Sequence, residues 1–161
     1  MSDIRIGYGI DIHQFQVGRP LILGGCHIAS EKGLMGHSDA DVLLHSITDA
    51  ILGALALGDI GSWFPDTDPE YKNADSKVLL STVWNKVHSI DGWNLVNLDC
   101  TVILEKPKLR FYIDQMRESV AGILDADISR VSIKATTSEK LGFVGREEGI
   151  SAQAVVLISR D

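Results

Sequence analysis

Ile150-Ser151-Ala152-Gln153-Ala154-Val155-Val156-Leu157-Ile158-Ser159 sets the architecture of this 161-residue chain. Its run Ala154–Ile158 carries no charge and is apolar enough for a strand buried on both faces. Such a strand needs paired neighbours and a covering layer on each side. Working back along the chain, Arg130–Thr137 and Asn97–Leu104 read as strands, the second closed by Pro107. Ile4–His13 is a third, in which Gly7 and Gly9 either weaken the strand or admit a close backbone approach. Arg19–Ile28 reads as a fourth, paired with it.

Helices are expected between these strands. Ala40–Leu57 places Val42, Ile47, Ile51, Leu52 and Leu55 on an apolar face and stops at Gly58. Ala74–Ile90 and Phe111–Leu124 read as two more, and Gly58–Asn73, with Pro65 and Pro69, as a loop. The order predicts an α+β fold: one domain over residues 1–161, a mixed β-sheet with helices on one face. An apolar second sheet face predicts self-association.

Charge narrows the function. The net charge is -7, so a nucleic-acid binder with a basic face is not expected. The imbalance sits between His37 and Asp75, where eight acids face the single base Lys72. The chain start lacks a basic stretch before an apolar core, and the apolar run Ala50–Leu57 is far shorter than the roughly 20 residues a membrane span needs. Cys26 and Cys100 form no CxxC pair. An intracellular protein with no membrane partner is expected.

Within the acidic segment and beside it lie groups that can carry chemistry. Asp11 and His13, two apart on a strand, project to one face. Asp41, His45 and Asp49, four apart on a helix, share a stripe, so Asp41 or Asp49 is expected to hydrogen-bond the second ring nitrogen of His45. Asp11, His13 and His45 offer nitrogen and oxygen ligands without a thiolate, the kind of set that holds a catalytic Zn²⁺ with a free position. Thr136, Thr137, Ser138, Glu139 and Lys140, after a strand, suit phosphate oxygens and a second, oxygen-loving cation. Lys106, Lys108 and Arg110 make the densest basic patch. The chain has no GxxxxGK[ST], no GxGxxG after a strand and no GxSxG, which removes the usual kinase, dinucleotide and serine-hydrolase readings.

Five stretches taken in order, GYGIDIH (7–13), HSDADVLLH (37–45), DIGSWFPDTDP (59–69), KPK (106–108) and ATTSEKLGFVGREEG (135–149), resemble the 2-C-methyl-D-erythritol 2,4-cyclodiphosphate synthase family over about Arg5–Ile158. The resemblance implies a chorismate-mutase-like homotrimer with active sites between subunits. It implies Zn²⁺ on Asp11, His13 and His45, and Mg²⁺ or Mn²⁺ on Glu139. The substrate, a cytidine diphosphate derivative, is then bound by His37, Ser38, Asp59, Ile60, Gly61, Phe64, Pro65, Asp66, Thr67 and Asp68. The neighbouring subunit's cytidine and phosphate pocket is implied at Lys106, Pro107, Lys108, Leu109, Arg110, Thr136 and Thr137, and Leu104, Ser138, Phe143 and Arg146 are implied as further substrate-binding residues. His37 and Thr137 are the groups expected to stabilise transition-state charge. Family members also hold isoprenoid diphosphates in a cavity on the trimer axis near Ile10, Phe143, Arg146 and Glu148, where Ile10 and Glu147 depart from the commonest residues. The implied location is the bacterial cytoplasm, or the plastid stroma for a mature organellar form.

Overall fold

A computed structural model describes residues 3–161. Its main sheet has five strands in the order β4-β1-β7-β5-β6: β1 (Asp3–Val17), β4 (Lys32–Leu34), β5 (Asn94–Ile103), β6 (Val131–Thr136) and β7 (Gly149–Arg160). β7 is antiparallel to both β1 and β5, and β5 runs parallel to β6. A parallel pair needs a crossover, and the helix α4 (Ile113–Ile123) lies within it. The sheet is therefore mixed, with its principal helices layered on one face, as expected.

Three local expectations change. Arg19–Ile28 is not one strand beside β1. It is a hairpin of β2 (Leu21–Leu23) and β3 (Cys26–Ile28), paired only with each other among the described residues. Gly24 and Gly25 at its turn both have positive φ, 58° and 76°, and reverse the chain. The segment Gly58–Asn73 contains the short helix α2 (Ile60–Trp63) and a 3₁₀ turn, Pro69–Tyr71, each capped by the aspartate before it. The second helix is shorter than expected: α3 (Ser76–Trp84) passes into a π-helical turn, Asn85–Ile90. A further short helix, α5 (Gly142–Gly145), leads into β7.

The core is built around α1 (Val42–Ala54), in which eleven of thirteen residues are buried. A helix buried on nearly every side must satisfy its own polar groups. Ser46 Oγ donates to the Leu43 carbonyl and Thr48 Oγ1 to that of Leu44, both at 2.8 Å. Asp41 caps the helix: its wholly buried carboxylate accepts from Leu44 N–H at 3.0 Å, Gly24 N–H at 3.0 Å and Gly25 N–H at 2.7 Å.

The inner face of β7 (Ile150, Ala152, Ala154, Val156, Ile158) is fully buried under the helices. Its other face is not: Val155 is 40% exposed. Beside it Ile4, Ile6, Tyr8, Ile10 and Ile12 of β1 form an apolar stripe, with Ile6 70% exposed. Within one chain, then, only one sheet face is covered, and the second, apolar face of residues 150–159 is left partly open.

On its covered face β1 carries Gly7 and Gly9. A Cβ at Gly7 would sit 1.8 Å from the Ala50 carbonyl oxygen, and one at Gly9 1.9 Å from that of Ser46. Strand and helix backbones touch here, so the glycines serve close approach rather than weakening the strand. Gly9→Ala must push α1 from β1, at an expected cost of about 1–3 kcal/mol or more. Equilibrium chemical denaturation checks this, and an unchanged midpoint would contradict the contact.

Candidate metal centre

Asp11 and His13 continue the glycine face of β1 toward the start of α1, where His45 lies one turn into the helix. Asp11 Oδ2 stands 2.9 Å from His13 Nε2 and 3.0 Å from His45 Nδ1, and the two ring nitrogens are 3.3 Å apart. These three are the described residues whose ligand atoms cluster within 4.8 Å as a metal site requires.

The outer edges of the rings define what the inner edges offer. His13 Nδ1 lies 2.6 Å from the Met35 carbonyl, which only accepts, so Nδ1 carries the hydrogen. His45 Nε2 lies 2.8 Å from Ser76 Oγ. Ser76 Oγ donates to the Asp39 carboxylate, while Ser76 N–H donates to Asp39 Oδ2 at 3.0 Å. Having given its proton to Asp39, the hydroxyl accepts from His45 Nε2–H. Both neutral rings thus turn a lone pair toward Asp11 Oδ2, and three electron-pair donors converge. That donor set fits a divalent cation.

The closeness of the three groups also perturbs their acid–base behaviour. Burial pushes the Asp11 carboxyl up, but hydrogen bonds from His13 and His45 and their charge hold it well below the usual carboxylate range. Burial likewise opposes charge on His13, yet Asp11 outweighs it and raises the ring's pKa.

The partners of His45 differ from those expected at the sequence level. Neither Asp41 nor Asp49 reaches its second nitrogen. Asp41 caps α1, and Asp49 accepts from Ile60 N–H at 2.7 Å, fixing the start of α2. Ser76 and Asp39 do that work instead. Arg19 also had no visible role in the sequence, yet its guanidinium donates to the carbonyls of Gly36, at 3.0 Å, and Ser38, at 2.8 Å, holding the loop before α1.

A cleft of about 460 Å³ opens at the three ligands and is also lined by His37, Ser38, Ile60, Gly61, Phe64, Pro65 and Asp66. Tyr71 lines it too and meets Phe64 edge to face at 5.3 Å. His37 is tied to its rim, Nε2–H donating to the Asp68 carbonyl at 3.3 Å. Asp59 caps α2 through Ser62 N–H, and Asp68 caps the 3₁₀ turn, so both carboxylates are engaged locally; Thr67 lies between the cleft residues and that turn.

The other sequence-selected residues are not brought to this cleft by their own chain. Thr136 ends β6 and Thr137, Ser138 and Glu139 follow it, while Pro107, Lys108, Leu109 and Arg110 follow β5. Leu104 and Leu109 have buried side chains. Phe143 borders a separate depression with Ile12, His13 and Glu148, and Arg146 is ion-paired to Glu148 at 2.9 Å.

Ser76 sets the His45 tautomer, so Ser76→Ala is expected to lower metal affinity about 10–100-fold while the three ligands remain. Competition with a chromophoric zinc chelator measures it. Wild-type affinity in the variant would show that the hydroxyl is dispensable.

The sequence model of the YgbB family matches residues 4–159. A curated protein of Geobacillus thermodenitrificans, named 2-C-methyl-D-erythritol 2,4-cyclodiphosphate synthase, is 60% identical over 156 residues, covering 97% of each chain. Among solved structures, a 2C-methyl-D-erythritol-2,4-cyclodiphosphate synthase in a form bound to CDP superposes with a TM-score of 0.87 at 38% identity, covering 96% of this chain and 99% of that one. The bifunctional IspDF of Campylobacter jejuni superposes with a TM-score of 0.95 at 46% identity; the whole of this chain matches 43% of that longer one. Fold, donor cluster and similarity along nearly the entire length agree: the chain belongs to the YgbB family.

Proposed function

We propose that this protein is a metal-dependent phosphorus–oxygen lyase of non-mevalonate isoprenoid biosynthesis. It cyclises 4-diphosphocytidyl-2-C-methyl-D-erythritol 2-phosphate to 2-C-methyl-D-erythritol 2,4-cyclodiphosphate and releases CMP. The observation that carries this reading is the convergence of Asp11 Oδ2, His13 Nε2 and His45 Nδ1 at the cleft. It occurs in a chain 60% identical to a curated synthase.

One bond forms, between an oxygen of the substrate's 2-phosphate and its β-phosphorus. One breaks, between that phosphorus and the oxygen that leaves with CMP. The 2-phosphate is mostly ionised near neutral pH, its second pKa being about 6, so no side chain has to remove a proton. What the protein must supply is geometry and compensation of charge. Asp11, His13 and His45 would hold Zn²⁺, and Glu139 Mg²⁺ or Mn²⁺, cations that when bound neutralise the diphosphate and polarise its phosphorus.

The remaining work falls to side chains and backbone. His37 and Ser38, on the rim secured by Arg19, hydrogen-bond the methylerythritol phosphate. Asp59, Ile60 and Gly61 hold its hydroxyls at the start of α2, and Phe64–Asp68 close over it and limit water. Thr137, with Thr136 and Ser138, donates to phosphate oxygens, and Pro107–Arg110 receive the cytidine.

Two observations support a homotrimer with shared sites. The stripe from Ile4 to Ile12 is an uncovered apolar surface of the kind that subunit contacts bury. Thr137 and Glu139 also lie away from the cleft of their own chain, as groups serving a neighbour's cleft must. The axial isoprenoid diphosphate site belongs to the same reading: Phe143 and Glu148 border a depression, with Arg146 paired to Glu148. Among the described residues no helix is long and apolar enough to cross a membrane, and Cys26 and Cys100 are free thiols. One synthase domain over residues 1–161, working in the bacterial cytoplasm, completes the proposal.

CMP release from the named substrate tests it, in ¹⁸O-water, with and without chelator. Cyclic diphosphate and CMP free of label are expected, with loss of activity on chelation and in His45→Ala. Label in the product phosphate would indicate a metal-dependent hydrolase instead. Absence of CMP release from the metal-loaded protein would favour a non-catalytic nucleotide- or metal-binding trimer.

A further inference from the structure

After β6 the backbone makes an unusual turn. Glu139 and Lys140 are successive residues with positive φ, 54° and 63°, a conformation that L-residues with side chains rarely adopt once, let alone twice running. Neither is glycine, so neighbouring groups must hold the turn in place. Within the turn Leu141 N–H donates to the Ser138 carbonyl at 3.0 Å, and the bonds at Glu139 are longer: Thr137 Oγ1 accepts from Glu139 N–H at 3.3 Å and donates to Glu139 Oε1 at 3.4 Å. Ser138 Oγ also reaches the Leu141 carbonyl at 2.7 Å.

The strongest external hold comes from a residue thirty-odd positions earlier. Glu105, two residues past the end of β5, turns one carboxylate oxygen into the loop. That single Oε1 accepts from Ser138 N–H at 3.0 Å and from Lys140 N–H at 3.2 Å, and it lies 3.0 Å from Ser138 Oγ, whose one hydrogen goes to the nearer Leu141 carbonyl. Donors on both sides of Glu139 thus converge on one acceptor, and charge-assisted bonds of this kind are about twice as strong as neutral ones. The next residue, Lys106, is ion-paired to Glu147 at 3.0 Å, but Lys106 is 75% exposed, and an exposed pair contributes little. Glu105 is thus the side chain from outside the segment that binds the amides on both sides of Glu139.

We propose that Glu105 is a positioning residue: its carboxylate oxygen clamps the Ser138–Lys140 turn, so that Thr137 and Glu139 are presented in a fixed arrangement to the diphosphate and its cation. This rests on the reading of Glu139 as a cation ligand given above. The clamp also joins the loop that receives cytidine to the loop that receives phosphate, since Glu105 precedes Lys106–Arg110 directly. Both backbone donors use the same oxygen, so an uncharged acceptor placed there keeps the geometry of the clamp.

The test measures Mn²⁺ binding by electron paramagnetic resonance in the zinc-loaded protein with CDP present, alongside amide exchange at Ser138 and Lys140. E105A is expected to weaken Mn²⁺ binding about 10–100-fold and to speed exchange at both amides, with zinc content unchanged. E105Q, which keeps an acceptor oxygen, is expected to restore both to within about threefold of wild type. Wild-type Mn²⁺ affinity in E105A, or an E105Q as impaired as E105A, would overturn the proposal. If E139A binds Mn²⁺ as wild type does, the reading of Glu139 fails on its own. The amide exchange then still decides the clamp: faster in E105A supports it, unchanged refutes it.

Discussion

The candidate site depends on two missing side chains. At Gly7 and Gly9 the backbone of β1 lies directly against carbonyls of α1, with no room for a methyl group between them. The pairing repeats because the two periods nearly agree. Four helical residues, from Ser46 to Ala50, advance about 6 Å, and two strand residues, from Gly9 to Gly7, about 6.7 Å. Followed one step further along the strand, the same alignment brings Asp11, and then His13, alongside the first turn of α1. There His45 waits within 3.0 Å of Asp11. A bulkier residue at either glycine would separate exactly those elements whose side chains have to meet, which is why a packing constraint in the core governs the chemistry at its edge.

That alignment also requires α1 to start at a defined residue, and the acidic segment provides for this. Burial raises the Asp41 carboxyl to about 6, a cost accepted for three backbone hydrogen bonds that tie the helix to the β2–β3 turn. Asp39 orients Ser76, Asp49 anchors Ile60, and Asp59, Asp68 and Asp75 cap the turns or helices that follow them. The excess of acids between His37 and Asp75 is thus largely a set of backbone acceptors in a region of short helices. It surrounds the candidate metal centre but contributes only His45 to it, since Asp11 and His13 come from β1.

The architecture and the convergence of Asp11, His13 and His45 could be read from the sequence because each left a local signature. Asp11 and His13 are two apart on a strand, His45 interrupts an apolar helix, and the strand from Ile150 has a distinctive composition. What escaped was either non-local or ambiguous. Ser76 lies 31 residues from His45 and, following Asp75, looks like an ordinary helix start. The Arg19–Ile28 hairpin did carry a signal, the paired glycines 24 and 25, but alternation around them resembles one longer strand. β4 is three residues long and contains a glycine, too little pattern to register. The apolar run of β7 shows what such a pattern reports: that a face avoids water, not whether the same chain covers it. Its outer face, with the stripe on β1, stays open until another molecule packs there.

The central claim is that β1 and α1 together present two imidazole nitrogens and one carboxylate oxygen to a single cation. X-ray absorption at the zinc edge on zinc-reconstituted protein tests it most directly. The account predicts one zinc per chain with two imidazole ligands, light-atom scatterers at about 2.0–2.2 Å and no sulfur. A sulfur shell, which would bring in Cys26 or Cys100, or zinc without histidine scattering, would contradict it.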